Sequence, residues 1–205
     1  MLYEKRDSFN GLEKKLGDIF SCLPISPNQW TLLSALFGIA SMYFIMAQSF
    51  ILAIAFFLLS GFSDYLNGII ARHRKIYTNV FRYLDTVTDR YVDMFVFLGM
   101  LFLPLPVIFL PGYVWVYLIM FAAIAISYNK AAAKEKDLEH PEIKGGLVTR
   151  PERIFLLSSA LFLGTIDKTL VWTTYLLIFI AIMSNFTAVQ RVYFAVKANM
   201  KEGRA

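Results

Sequence analysis

A chain of 205 residues that is 58% hydrophobic and only 17% charged, with a mean hydropathy of +0.56, is too apolar for a soluble domain and has the composition of a polytopic membrane protein. Its net charge is +5, and its single cysteine, Cys22, excludes an internal disulfide. The first thirty residues lack the charged start, apolar core and small-residue cleavage site of a secretory signal, and no internal repeat or low-complexity tract is visible.

From the N-terminus, Phe9, Leu12, Leu16, Ile19 and Phe20 recur at helical spacing with Glu13, Lys14, Lys15 and Asp18 between them. That pattern predicts an amphipathic helix lying in the membrane interface. The stretch Ile25-Ser-Pro-Asn28-Gln-Trp30-Thr31 then opens a first span, with Pro27 suited to an early helical position. About twenty apolar residues cross roughly 30 Å of hydrocarbon, and such windows can be placed near Trp30–Ala47, Phe50–Arg72, Val80–Leu103, Gly112–Ala132, Glu152–Gly164 and Lys168–Val196, the fifth being short. The expectation is an all-α integral membrane protein with six transmembrane helices and an N-terminal interfacial helix. Residues 1–28 form a cytoplasmic N-terminal segment, 29–197 the membrane domain and 198–205 a cytoplasmic tail.

Spans two and three contain DYLNGIIARHRKIYTNVFRYLDTVTDRYVD, from Asp64 to Asp93. An ionisable side chain near the centre of a membrane helix costs roughly 2.5–3.5 kcal/mol on insertion scales, so a cluster of them points to a pathway or a reaction site. Asp64, Asn67, Gly68 and Ala71 fall on one helix face, and Asp85, Asp89 and Asp93 on another. Two acidic faces meeting across an antiparallel neighbouring pair of helices would need a cation between them, and hard oxygen ligands favour Mg²⁺ or Mn²⁺. Asp64 lies eight residues, about 12 Å, from Arg72 at the span's end, placing the cluster toward one surface.

Pro104, Pro106 and Pro111 break the next loop. Ser127 and Lys130 close the fourth span, Arg150-Pro-Glu-Arg153 opens the fifth, and the sixth carries Asn185, Thr187, Gln190 and Arg191. Lys130, Arg150, Arg153 and Arg191 all belong to helix ends on the side of the acidic cluster, where they would form an anion pocket fit for a phosphate. His73 and His140 read as solvated imidazoles. Basic residues before the first span (Lys5, Arg6, Lys14, Lys15), after the second (Arg72, Arg74, Lys75), after the fourth (Lys134, Lys136, Lys144) and at the C-terminus (Lys197, Lys201, Arg204) share one side, which the positive-inside rule makes cytoplasmic. Trp115 and Trp172 would then mark the outer boundary and Trp30 the inner one.

Asp64, Gly68, Ala71, Arg72, Asp85 and Asp89 occur at the spacing D-x-x-D-G-x-x-A-R, eight residues, then G-x-x-x-D-x-x-x-D. In this register the sequence resembles the CDP-alcohol phosphotransferases, a family of six-span membrane enzymes; Asn67 stands at the second aspartate of the pattern and Phe81 at its second glycine. The resemblance implies two divalent ions, Mg²⁺ or Mn²⁺, held by Asp64, Asn67, Asp85 and Asp89, with Asp89 as the general base. It implies a CDP-linked donor lying along Asp64, Gly68, Ala71 and Arg72, and near Asn28 and Thr31. Ser127, Lys130, Arg150, Arg153 and Arg191 look like the acceptor-phosphate pocket of the members that use inositol phosphate.

The implied reaction transfers a substituted phosphate from CDP-diacylglycerol or CDP-archaeol to a small phosphorylated alcohol, releasing CMP, in phospholipid biosynthesis at the cytoplasmic membrane. Glycerol-phosphate-using and di-myo-inositol-phosphate-phosphate-forming members are the alternatives within the family. A homodimer is implied by resemblance alone, and no nucleic-acid partner is expected. From other classes stand an ion- or proton-coupled transporter, a purely structural membrane protein, and a pseudoenzyme in which Asn67, lacking one negative charge, weakens the second ion site. The charges cluster toward one face without crossing the midplane, which argues against the transporter.

Overall fold

The computed structural model describes residues 6–22, 24–74, 78–138 and 149–201. His140 and the cations Lys5, Lys75, Lys144 and Arg204 lie outside them. Among the described residues there is no strand, and the helices are α1 (Arg6–Ser21), α2 (Pro27–Met46), α3 (Phe50–His73), α4 (Asn79–Leu101), α5 (Gly112–Glu135), α6 (Arg150–Ile166) and α7 (Val171–Lys201).

Helices α2, α3, α5 and α7 are long and apolar enough to cross a membrane, which makes this a multi-pass membrane protein by length and composition. The other two segments expected to span fall short for different reasons. Helix α4 has 23 residues but carries Arg82, Asp85, Asp89, Arg90 and Asp93. Helix α6 has only 17 residues, at the short end of the roughly 17–25 that span a bilayer core.

The chain forms two compact units, Met1–Leu103 and Pro104–Ala205. In the first, α2 starts with a capping box: the Ser26 amide donates to Gln29 Oε1 at 2.7 Å and the Gln29 amide donates to Ser26 Oγ at 3.3 Å, with Pro27 in the first turn. The helix ends in a Schellman turn, where the Gln48 and Ser49 amides donate back to the Ile45 and Phe44 carbonyls and Gln48 takes the left-handed φ of 56°. This tight reversal lays α3 back along α2. Serine hydroxyls then join the two: Ser34 Oγ donates to the Ser60 carbonyl at 3.0 Å, Ser60 Oγ to the Ser34 carbonyl at 2.8 Å, and Ser41 Oγ to the Ala53 carbonyl at 2.9 Å. In an apolar slab such bonds and small side chains hold helices together where a hydrophobic driving force is missing.

Helix α2 also packs along α4. A Cβ on Gly99 would stand 3.0 Å from the Met42 carbonyl oxygen, and one on Gly38 would stand 3.2 Å from Val92 Cγ1, so both glycines are set by close backbone approach. The expected α3–α4 neighbouring pair is therefore corrected: α2 sits against both, and α3 and α4 touch over only a short stretch. Gly38 on α2 and Gly99 on α4 permit this close packing, whereas the parts of α3 and α4 that face each other carry polar side chains, Asn67 and Asp85.

Trp30 departs from expectation as well. It is 7% exposed and packs with Leu66 and Ile70, flanked by Leu16 and Phe20 of α1, with Phe20 edge-on to its ring at 5.9 Å. It belongs to the joint between α1, α2 and α3 and not to an interfacial belt, whereas Trp172 is 64% exposed.

In the second unit, Asn185 Nδ2 on α7 donates to the Leu118 carbonyl of α5 at 3.1 Å, and Thr173 Oγ1 donates to the Ala160 carbonyl of α6 at 3.0 Å. The start of α7 is capped by Asp167, whose Oδ2 accepts from the Val171 and Trp172 amides at 2.9 and 3.2 Å. Hydrogen bonding, foremost from the Thr169 hydroxyl, holds the Asp167 carboxyl below its usual range.

Candidate functional site

The acidic helix faces meet at one contact. Asn67, fully buried, donates from Nδ2 to Asp85 Oδ1 at 2.7 Å and to Thr31 Oγ1 at 2.7 Å. The Thr31 hydroxyl spends its own proton on the Pro27 carbonyl at 3.2 Å, so it faces Asn67 as an acceptor. A carboxylate can only accept, hence the amide nitrogen must point to Asp85 and the amide oxygen away from it. That oxygen, Asn67 Oδ1, is buried and has no hydrogen-bond partner. A buried carbonyl left unsatisfied costs on the order of 1–3 kcal/mol, so the first turn of α2 and the acidic face of α4 together aim a hard oxygen at nothing in the protein.

Asp64 lies one turn before Asn67 on α3 and Asp89 one turn after Asp85 on α4, both partly buried and both engaged. Asp93 is nearly buried and accepts from Arg90 Nη1 at 3.4 Å. Among the described residues no three His, Cys, Asp or Glu side chains gather into a group able to hold a metal; what comes together is the mixed pair Asn67 and Asp85. Carboxylates in a low-dielectric setting repel each other when no cation sits between them. The donor set nonetheless fits a divalent cation, since the orphaned Asn67 oxygen and the carboxylates of Asp64, Asp85 and Asp89 are hard ligands of the type Mg²⁺ and Mn²⁺ take.

On the same helix, a Cβ at Gly68 would meet only Arg72 Nη1, at 3.4 Å. Packing within the chain therefore does not demand glycine there. Ala71 is fully buried. Asn28 is exposed at the start of α2. Phe81 is 6% exposed, its ring turned into the protein and its amide donating to Thr78 Oγ1 at 3.2 Å in the cap of α4.

Sequence reasoning passed over the contacts of α1. Arg72 Nη2 donates to Glu13 Oε2 at 3.3 Å, His73 Nε2 lies 3.0 Å from Asp18 Oδ1, and Arg74 donates to the carbonyls of Ser21 and Ile25 at 2.8 and 3.0 Å. Arg72 and His73 at the end of α3 and Arg74 at its C-cap thus hold the α1 segment, and His73 is an anchor of α1 instead of a merely solvated imidazole. The signal available was the cationic run Arg72-His73-Arg74, which needs anions or carbonyls near it.

In the second unit, Arg150 and Arg153 share a face at the start of α6, and Arg153 is 2% exposed and engaged. The intervening Glu152 belongs to the helix start, accepting from the Thr149 amide at 2.6 Å, with Pro151 in the first turn. Ser127 Oγ donates to the Ala123 carbonyl of its own helix at 3.0 Å. Lys130 is exposed, and Arg191 is partly buried on α7 and engaged.

A family model described as CDP-alcohol phosphatidyltransferase matches residues 24–196. Among curated relatives, the bifunctional IPC transferase and DIPP synthase of Aquifex aeolicus is 32% identical over 182 residues, covering 84% of this chain and 39% of that protein. The chain therefore spans about two fifths of that relative's length. The archaetidylinositol phosphate synthase of Pyrococcus horikoshii is 28% identical over 187 residues, covering 90% of each. A crystal structure of Mycobacterium tuberculosis phosphatidylinositol phosphate synthase with CDP-DAG bound is similar at TM-score 0.75 and 21% identity, over 89% of this chain and 92% of that one. The same protein in complex with manganese and citrate is similar at TM-score 0.73 and 22% identity, over 90% and 87%. At that identity the structural likeness speaks for the fold.

Proposed function

We propose a function from one premise: the chain belongs to the CDP-alcohol phosphatidyltransferase family, a family of transferases. It transfers the substituted phosphate of a CDP-linked donor, CDP-diacylglycerol or CDP-archaeol, to a hydroxyl of a small phosphorylated alcohol such as inositol phosphate. The observation that carries this reading is the buried, partnerless oxygen of Asn67 beside Asp85, set in register with Asp64 and Asp89. The relatives' names favour the acceptor, since archaetidylinositol phosphate and phosphatidylinositol phosphate are both inositol-phosphate lipids.

Asp64, Asn67, Asp85 and Asp89 would hold Mg²⁺ or Mn²⁺. When bound, two such ions neutralise the oxygens of the transferring phosphate. Asp89 takes the proton of the acceptor hydroxyl, the acceptor oxygen bonds to the β-phosphorus, and the bond from that phosphorus to the bridging oxygen breaks, that oxygen leaving with CMP. Gly68, Ala71 and Arg72, with Asn28 near the start of α2, receive the donor. Thr31 acts through the Asn67 amide that it orients. Lys130, Arg150, Arg153 and Arg191, with Ser127, hold the acceptor phosphate through charge-assisted hydrogen bonds.

Residues 29–197 form the catalytic domain, flanked by 1–28 and 198–205, with α2 to α7 as its six spans. Helix α1 lies in the cytoplasmic interface, both termini face the cytoplasm and the site opens toward it. The family resemblance supports a homodimer.

The test offers purified protein CDP-diacylglycerol or CDP-archaeol with inositol phosphate, glycerol phosphate, serine or inositol, and follows CMP. CMP should appear with a divalent cation and a phosphorylated acceptor only. Arg150→Ala and Arg191→Ala should raise the acceptor KM and leave the donor KM unchanged. Metal- or pH-driven ion flux in liposomes without CMP release would instead make it a transporter.

A further inference from the structure

Arg72 is held on two sides. Its Nη2 pairs with Glu13 Oε2 at 3.3 Å, while its Nη1 lies 3.4 Å from where a Cβ on Gly68 would stand. The other carboxylate oxygen, Glu13 Oε1, accepts from the Tyr65 hydroxyl at 3.4 Å. Tyr65, Gly68 and Arg72 are spaced three and four residues apart and line one stripe of α3. Glu13, from a different helix, lies across that stripe and draws the guanidinium over the glycine.

We infer that Glu13 is a positioning residue for the donor: it pre-sets Arg72 over Gly68, so that the CDP-linked substrate meets an ordered guanidinium. This rests on the reading of Arg72 and Gly68 as donor contacts. The physical need is plain. Arg72 is 44% exposed on its side chain, and a free arginine carries rotamer entropy that a ligand must remove on binding. A guanidinium already fixed along one edge presents its remaining donors at less cost.

Glu13 itself is well placed to act as a fixed point, because α1 does not depend on it. Asp18 with His73, the Ser21 and Ile25 carbonyls with Arg74, and Leu16 and Phe20 against Trp30, Leu66 and Ile70 all hold the segment independently. Removing the Glu13 charge therefore frees Arg72 without freeing the helix.

The experiment measures equilibrium binding of CDP-diacylglycerol in detergent micelles without acceptor, beside donor KM, acceptor KM, kcat and thermal unfolding. Glu13→Gln should weaken donor binding and raise donor KM about fivefold, equivalent to about 1 kcal/mol, with kcat, acceptor KM and melting little changed. Asp18→Asn, which alters another anchor of the same helix, should leave donor affinity as it was. In an Arg72→Ala background, Glu13→Gln should add nothing further. Unchanged or tighter binding in Glu13→Gln, an equal loss in Asp18→Asn, or additive losses in the double variant would overturn the inference while leaving Arg72 a donor contact. Wild-type donor affinity in Arg72→Ala would instead overturn the reading beneath it.

Discussion

Replacing Asn67 by aspartate changes one nitrogen to oxygen and reverses the sign of its principal contact. In the wild type, Nδ2 donates to Asp85 Oδ1 at 2.7 Å from a fully buried position. In Asn67→Asp two carboxylates face each other there, and Thr31 must withdraw its proton from the Pro27 carbonyl to offer a hydrogen bond. Two unit charges about 4 Å apart repel by about 4 kcal/mol at an effective dielectric constant near 20. Escape by protonation costs about the same at pH 7, since lifting an aspartate from its reference pKa near 3.9 across roughly three units takes about 4 kcal/mol. The metal-free variant should therefore lose about 4 kcal/mol, or about 10 °C in melting temperature for a chain of this size. A divalent cation between the carboxylates turns the penalty into affinity. Thermal unfolding in detergent, with chelator and then with Mn²⁺ or Mg²⁺ titrated in, should show a larger cation-induced rise in the variant than in the wild type. The cation midpoint for CMP release should also fall. A metal-free variant that melts with the wild type, or an equal rise in both, would refute a cation site at Asn67 and Asp85.

Asp89→Asn should lower CMP release by about 10²–10⁴, the range general base catalysis contributes, with CDP-diacylglycerol binding retained, because an amide keeps a ligand oxygen but accepts no proton. Gly99→Ala should cost about 1–3 kcal/mol by forcing a methyl against the Met42 backbone carbonyl, read as a lower melting temperature. Asp167 has a carboxyl held below its usual range by the Thr169 hydroxyl and the amides at the start of α7. Its charge therefore stabilises the folded state above the unfolded pKa near 3.9, and that contribution is lost as pH falls through the lower folded pKa. Asp167→Asn should melt below the wild type at neutral pH, and the gap should close in acid.

Much of this protein follows from local pattern. Apolar runs near bilayer length place α2, α3, α5 and α7 because a backbone in hydrocarbon must satisfy its own hydrogen bonds, and Ser26, Pro27 and Gln29 mark the start of α2 by capping chemistry that involves neighbouring residues alone. The spacing of Asp64, Asn67, Asp85 and Asp89 is equally local, being set by 3.6 residues per turn. Which helix lies against which is not. Only the tertiary structure seats α2 against both α3 and α4, because that choice depends on Gly38 and Gly99 meeting Val92 and Met42 across more than fifty residues of sequence. The direction of the Asn67 amide was undecidable from composition as well, since nitrogen and oxygen are sorted by the carboxylate and hydroxyl that α4 and α2 bring to it. Glu13 and Asp18 look like ordinary surface charges of an amphipathic helix until the end of α3 presents Arg72 and His73 to them. An ion pair between residues 59 positions apart leaves no periodicity for a reader of the sequence to find.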